Sequence, residues 1–104
     1  MYLHLPAAGD VTLEEPDNFR AFKVVVASPT ATLEAVRTAL AGIASVPDRE
    51  VAWVSEQALR RWPGYAANGA WQEQLSGMIA KARPHGWIDD ANRSIRAHLE
   101  WPTP

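Results

Sequence analysis

Residues 94–101 alternate strictly between apolar and polar side chains, the pattern of a β-strand that buries one face. The apolar set is Ile95, Ala97, Leu99 and Trp101, and the polar set is Ser94, Arg96, His98 and Glu100. The preceding run 89–92, Asp-Asp-Ala-Asn, is typical of a turn. We therefore predict a two-stranded ribbon over residues 86–101, and the rest of the chain must supply elements that cover its apolar face.

Upstream patterns predict two more strands and three helices. Residues 22–27 are rich in valine and residues 51–54 form a second short apolar run, so both are predicted strands. Apolar side chains at helical spacing predict helices over residues 28–44, 56–62 and 70–83. In the last helix one face is expected to carry Trp71, Leu75, Met78, Ile79 and Ala82. For the first helix, Ser28 and Thr30 are both candidate caps, and Ser55 and Asn68 are candidate caps for the second and third. The strand, helix and strand from residue 22 to 54 predict a right-handed βαβ unit.

These elements predict an α+β fold, a two-layer sandwich in which a mixed four-stranded sheet carries helices on one face. The expected order is β-α-β-α-α-β-β. A ferredoxin-like arrangement is the alternative, and it would need a different strand between Val51 and Trp62 or beyond. A chain of 104 residues suits one domain, residues 1–104. Residues 1–18 are acidic and interrupted by proline and glycine, so we expect an extended N-terminal arm.

Composition argues against several classes of protein. The chain carries 10 Lys and Arg against 12 Asp and Glu, and no cationic stripe suited to nucleic acid is visible. It has no cysteine, which excludes disulfides, thiolate nucleophiles and cysteine-ligated metals. It contains no glycine-rich phosphate loop and no apolar run of roughly 18 residues. We expect no cofactor, no nucleic-acid or membrane partner, no signal peptide and a cytoplasmic location.

The polar row of the last strand is the first candidate site. Arg96, His98 and Glu100 project from one face, about 7 Å apart at strand spacing. Arg96 could anchor an anion, His98 could act as a general base, and Glu100 could orient the imidazole. The simpler interpretation is a solvated strand face with favourable charge alternation. The row becomes a site only if something covers it.

Aromatic side chains form the second candidate. All five tryptophans follow residue 50, which suggests a small core that buries large rings. The functional alternative is that Trp53, Tyr65 and Trp87 line a pocket for an apolar or planar ligand. A dimer interface is a third use, because tryptophan is enriched at buried interface anchors.

A histidine and two aspartates near the ribbon could be drawn as a metal site. His85, Asp89 and Asp90 are close in sequence, but their spacing matches no established metal motif. Helix capping by the histidine and turn formation by the aspartates explain these residues better. We therefore predict no metal ion.

Two functional hypotheses remain. The first is a homodimeric, cofactor-independent protein that binds or transforms a small apolar or aromatic molecule. As an enzyme it would transfer a proton through His98, as an isomerase, lyase or oxygenase. In this hypothesis the dimer covers the sheet face that the helices leave open. The alternative is a non-catalytic interaction or accessory module that binds another protein.

Overall fold

The computed structural model describes residues 1–102, which form a mixed α+β fold with one sheet and three α-helices. The strands are β1 (Tyr2–Leu5), β2 (Thr12–Glu14), β3 (Lys23–Val26), β4 (Ala44–Ser45), β5 (Val51–Ser55), β6 (Ile88–Asp89) and β7 (Ser94–Glu100). The α-helices are α1 (Leu33–Ala39), α2 (Glu56–Arg60) and α3 (Gly69–Ala82). A short 3-10 helix, Arg83–His85, continues α3.

The sheet is built around β7, its longest strand with seven residues. The order across the sheet is β2-β1-β3-β7-β5-β4, and β6 pairs with the start of β7 outside this path. β1 and β3 run parallel to each other, and β3 runs parallel to β7. All other pairs are antiparallel. The predicted mixed sheet is thus confirmed.

The expectation of four strands is wrong, because the sheet has seven. Two of the additional strands, β1 and β2, lie in the segment expected to form an extended arm. Leu3 and Leu5 are buried there while Tyr2 and His4 face outward, so the alternation outweighs the neighbouring proline and glycine, which only keep the strands short.

The predicted βαβ unit is also wrong, since β7 lies between β3 and β5. β3 is parallel to β7 and β5 is antiparallel to it, so β3 and β5 run in opposite directions. The short strand β4 follows α1 and forms an antiparallel pair with β5, which reverses the chain before β5 begins. The ferredoxin-like alternative is not confirmed.

Side-chain caps set where the helices begin. Ser55 and Asn68 cap α2 and α3, as their side-chain oxygens accept hydrogen bonds from Ala58 N and Trp71 N. The prediction that Ser28 or Thr30 caps α1 is wrong, because Thr32 caps it by accepting a hydrogen bond from Ala35 N. α1 therefore begins later than predicted, and it also ends earlier, at Ala39. None of the helices in residues 1–102 has the length and apolar character needed to cross a membrane.

All three helices pack on the same face of the sheet, which we call the inner face. It buries alternate residues of the strands, among them Leu3, Val24, Val54, Ile95 and Leu99. The helices contribute the buried side chains Val36, Leu40, Leu59, Trp71, Leu75, Met78 and Ile79 to the same cluster. Five residues of α3, predicted as one apolar stripe, are all buried: Trp71, Leu75, Met78, Ile79 and Ala82.

The opposite, outer face carries no helix. Strand registers align Glu14, Tyr2, Lys23, His98 and Val51 in one row across five strands. On β7 this face presents exposed side chains, whereas the strands beside it present half-buried ones. The outer face is therefore a mixed surface of aromatic, aliphatic and charged groups, and β7 crosses its middle.

Candidate ligand-binding cleft

A cleft opens where two segments share one edge of β7. β6 pairs with Ser94 and Ile95, and β3 pairs with residues 98–100. Between these pairings, the main-chain nitrogen of Arg96 donates to the carbonyl oxygen of Trp87 at 2.8 Å. The chain before β3, residues 19–22, forms the other wall. The resulting cleft has a volume of about 560 Å³.

Apolar and aromatic side chains form much of the cleft wall. They come from the segment before β3, from the last turns of α3, from the residue before β6 and from the start of β7: Phe19, Phe22, Met78, Ala82, Trp87 and Ile95. Trp87 is 43% exposed and is the exposed large hydrophobic side chain within residues 1–102. The cleft therefore offers an aromatic ring that solvent reaches, beside a buried apolar floor.

Trp87 is held by the turn that ends α3. Gly86 has φ 77°, a left-handed conformation that costs glycine little, and its N–H donates to the carbonyl of Arg83. This turn brings the His85 and Trp87 rings into a stack, with centroids 4.4 Å apart and planes 18° from parallel. Both rings line the cleft.

The polar lining of the cleft is cationic. Arg20, Lys81 and Arg96 line it together with His85 and His98, and no carboxylate side chain does. Within residues 1–102, these three cationic side chains form no ion pair. A chain of net charge −2 thus contains a locally positive cleft.

The three polar side chains predicted to form a site on β7 do not all lie in the cleft. Arg96 and His98 both line the cleft, whereas Glu100 lies outside it. The carboxylate of Glu100 pairs with Lys23 Nζ at 3.0 Å. Within the described chain no hydrogen bond joins Glu100 to His98, so the geometry does not supply the expected orienting contact.

The three predicted ligand-binding aromatic residues are not brought together. Only Trp87 lines the cleft. Trp53 lies across β7 in a shallow depression of about 220 Å³ beside β4, which Ser55 and Ser94 also line. Tyr65 packs against Trp71 with ring centroids 5.0 Å apart, at the edge of the core.

The aspartates near His85 have local partners. Asp89 accepts hydrogen bonds from the side chain and the backbone N–H of Asn92, which lowers the pKa of Asp89. Asp90 pairs with Arg83 at 2.9 Å, and the hydrogen bond with Asp90 raises the pKa of Arg83. These contacts hold the turn before β7. No group of three potential metal ligands occurs within residues 1–102.

The wall formed by residues 19–22 is tied to the start of the chain. The amino group of Met1 donates to the carbonyl oxygens of Asn18 at 2.8 Å and Ala21 at 3.1 Å. Desolvation lowers the pKa of this amino group, and the negative charge of Glu15 opposes that shift. The cleft wall is therefore anchored by main-chain contacts to β1.

The sequence did not assign most of the lining to a binding site, including Phe19, Arg20, Phe22, Lys81 and His85. Nothing in the sequence joins residues 19–22 to the end of α3, because the contact depends on β3 pairing with the last half of β7. The site could therefore have been predicted only if the pairing of β3 with β7 were already known.

Neither the protein-family models, nor the curated proteins, nor the solved structures with which the chain was compared gave any match.

Proposed function

We propose that this protein binds a small apolar or aromatic molecule in the cleft beside β7, without a cofactor. The observation that carries the proposal is the cleft's combination of size and lining. A volume of about 560 Å³ falls within the range typical of small-molecule sites. Such sites combine a mainly apolar wall with a few converging polar groups.

The lining suggests how such a molecule would lie. Its ring would stack on Trp87, the solvent-exposed aromatic group, and extend toward Met78 and Ile95 on the floor. Arg96 and His98 would meet its polar end from the outer side of β7. This pose uses both predicted β7 side chains that line the cleft.

Turnover of the bound molecule would depend on His98. Its imidazole can accept and donate a proton, and Arg96, two residues earlier on the same face, can hold developing negative charge. We assign Glu100 no step, because Lys23 already neutralises its carboxylate outside the cleft. The reaction class stays open between isomerisation, elimination and oxygenation.

The test is a titration of the protein with 2-naphthamide and 2-naphthoate, followed by two-dimensional ¹H–¹⁵N NMR. We expect shifts at the Trp87 indole and at the amides of Arg96 and His98, with little change at the Trp101 indole. Trp87→Leu should weaken binding about tenfold, since stacking on an aromatic ring is lost. Trp101→Leu, at a tryptophan that does not line the cleft, is the control.

Two results would contradict the proposal. One is a titration in which neither compound shifts the cleft resonances; the other is equal weakening by both tryptophan variants. In either case, the non-catalytic interaction module would be the remaining hypothesis. A stable heteromeric complex isolated with the full chain would then support that alternative.

We further propose that the partner on the outer face is a second copy of the chain. The face presents half-buried Tyr2, Val25 and Trp53, and no helix covers it within residues 1–102. A two-fold related copy could bury these side chains against their own equivalents.

Light scattering at micromolar concentration tests the dimer. We expect twice the mass of one chain, and Trp53→Glu should return the mass to that of a monomer. Glu73→Gln, an exposed change on α3, is the control. A monomeric wild-type protein would overturn the dimer proposal and leave the cleft proposal standing.

A further inference from the structure

We propose that the cleft selects organic anions, and specifically an aromatic or apolar molecule that carries a carboxylate. The inference rests on the proposed function, because it names the class of ligand for the same cleft. The observation behind it is that cationic side chains without a carboxylate partner are concentrated around the cleft.

Within residues 1–102, five of the ten Lys and Arg side chains pair with a carboxylate. The paired ones are Lys23, Arg37, Arg60, Arg83 and Arg93. Of the other five, three line the cleft: Arg20, Lys81 and Arg96. Arg49 stacks over the Trp101 ring at 4.0 Å, and Arg61 is exposed on the surface. Unpaired positive charge is thus concentrated at one place.

The like charges around the cleft repel one another, and a bound anion would relieve that repulsion. No carboxylate side chain lines the cleft, and two carboxylates near its lining are engaged elsewhere, as Glu100 pairs with Lys23 and Asp90 pairs with Arg83. A bound anion would gain attraction from several cations at once, in a cleft whose apolar walls weaken screening by water. The same walls favour a ligand whose remaining part is apolar.

Arg20 and Arg96 carry this inference more than Lys81. Lys81 lies in the last turn of α3, where any cation is favourable beside the helix carbonyl groups. Arg20 and Arg96 do not lie at the end of an α-helix, so this structural explanation does not apply to them. A guanidinium also matches a carboxylate with two parallel hydrogen bonds, a geometry that an ammonium lacks.

A carboxylate fits the cleft better than a phosphate group does. Phosphate sites commonly use the free N–H groups at a helix N-terminus. Here α3 ends beside the cleft, and the partial negative charge of its carbonyl groups disfavours a dianion. A single negative charge shared by Arg20 and Arg96 avoids that conflict.

Calorimetric titration with 2-naphthoate and 2-naphthamide tests the inference, since the two share one ring system and differ in charge. We expect the wild-type protein to bind naphthoate about tenfold more tightly, the effect of roughly 1.4 kcal/mol from partly exposed charges. In the double variant R20Q/R96Q the preference should fall to about twofold or less. Arg61→Gln is the matched control, and raised salt should reduce the preference.

The outcomes separate the inference from the function on which it rests. Equal affinity for both compounds at the cleft would overturn the anion preference and leave the aromatic cleft intact. Failure of both compounds to bind would overturn both proposals. An undiminished preference in a folded R20Q/R96Q protein would also overturn the inference. Both arginines are exposed, and circular dichroism checks that the variant folds.

Discussion

The two faces of β7 differ in what determines their role. Ile95, Ala97 and Leu99 point to the inner face and are each 3% exposed or less. Arg96 and His98 point the other way, are exposed and line the cleft. The inner row is held by one continuous apolar cluster. The residues around the outer row come from segments that are far away in sequence.

This contrast indicates that stability and recognition are divided between the two sides of one strand. Substitutions on the inner row should change the free energy of unfolding, while those on the outer row should change binding. The comparison fails if an outer-row change destabilises the protein as much as an inner-row change does. Three predictions test or refine it.

Leu99→Ala should have the largest effect. Leu99 is 2% exposed and lies between β3 and the segment before β5, so truncation removes buried apolar contacts and leaves a cavity. We expect the free energy of unfolding to fall by about 3 kcal/mol, measured by urea denaturation. Its outer-row neighbour Glu100→Ala should cost no more than about 1 kcal/mol, the loss of the exposed pair with Lys23.

Comparable losses in the two variants would contradict the division between faces. His98→Ala provides a second outer-row control, because its side chain makes no hydrogen bond within residues 1–102. It should leave the unfolding curve nearly unchanged while weakening the binding of cleft ligands. Destabilisation by His98→Ala would show that the outer row also supports the fold.

Trp71→Phe should have the next largest effect. The Trp71 ring is 2% exposed, and its indole N–H donates to the carbonyl oxygen of Pro16 at 2.9 Å. Phenylalanine fills less space and leaves that carbonyl without its partner. We expect a loss of about 2 kcal/mol in the free energy of unfolding. Trp53→Phe, on the outer face, should cost less than about 1 kcal/mol. Equal losses would mean that the outer face is packed as firmly as the core.

The inner side of the fold was largely accessible from sequence. Alternation placed Ile95 and Leu99 in the core, and helical spacing placed Trp71 and Leu75 on one buried face of α3. Ser55 and Asn68 marked two helix starts through their capping chemistry. In each case the signal lies within a few residues, because periodicity and capping are local properties.

The order of the strands was not accessible in the same way. β3 could be recognised as a strand, but nothing within it specifies parallel pairing with β7. The strands β1, β2 and β4 have only four, three and two residues, so their patterns are weak signals in the sequence. The cleft follows from that pairing, and so Phe19, Arg20 and Lys81 could not be assigned to a site. Local patterns identify elements, whereas site composition depends on how they pair.

The smallest predicted effect concerns the turn that sets the register of β7. Asp89 pairs with Ser94 across the ribbon and accepts hydrogen bonds from Asn92, which keeps its pKa below the ordinary value in the folded protein. Because the folded state favours the charged carboxylate, this contribution is fully present above the unfolded pKa of about 3.9. It is lost as pH falls through the lower folded pKa.

Urea midpoints measured at neutral pH and at about pH 2.5 therefore test how much this turn contributes to stability. Asp89→Asn should show a smaller loss on acidification than the wild-type protein, and Asn92→Ala should reduce the loss in the same direction. Asp10→Asn, in an exposed loop, is the control. If Asp89→Asn left the acid loss unchanged, the turn would not fix the register through this carboxylate. The placement of Arg96 and His98 on the outer face would then depend on strand pairing alone.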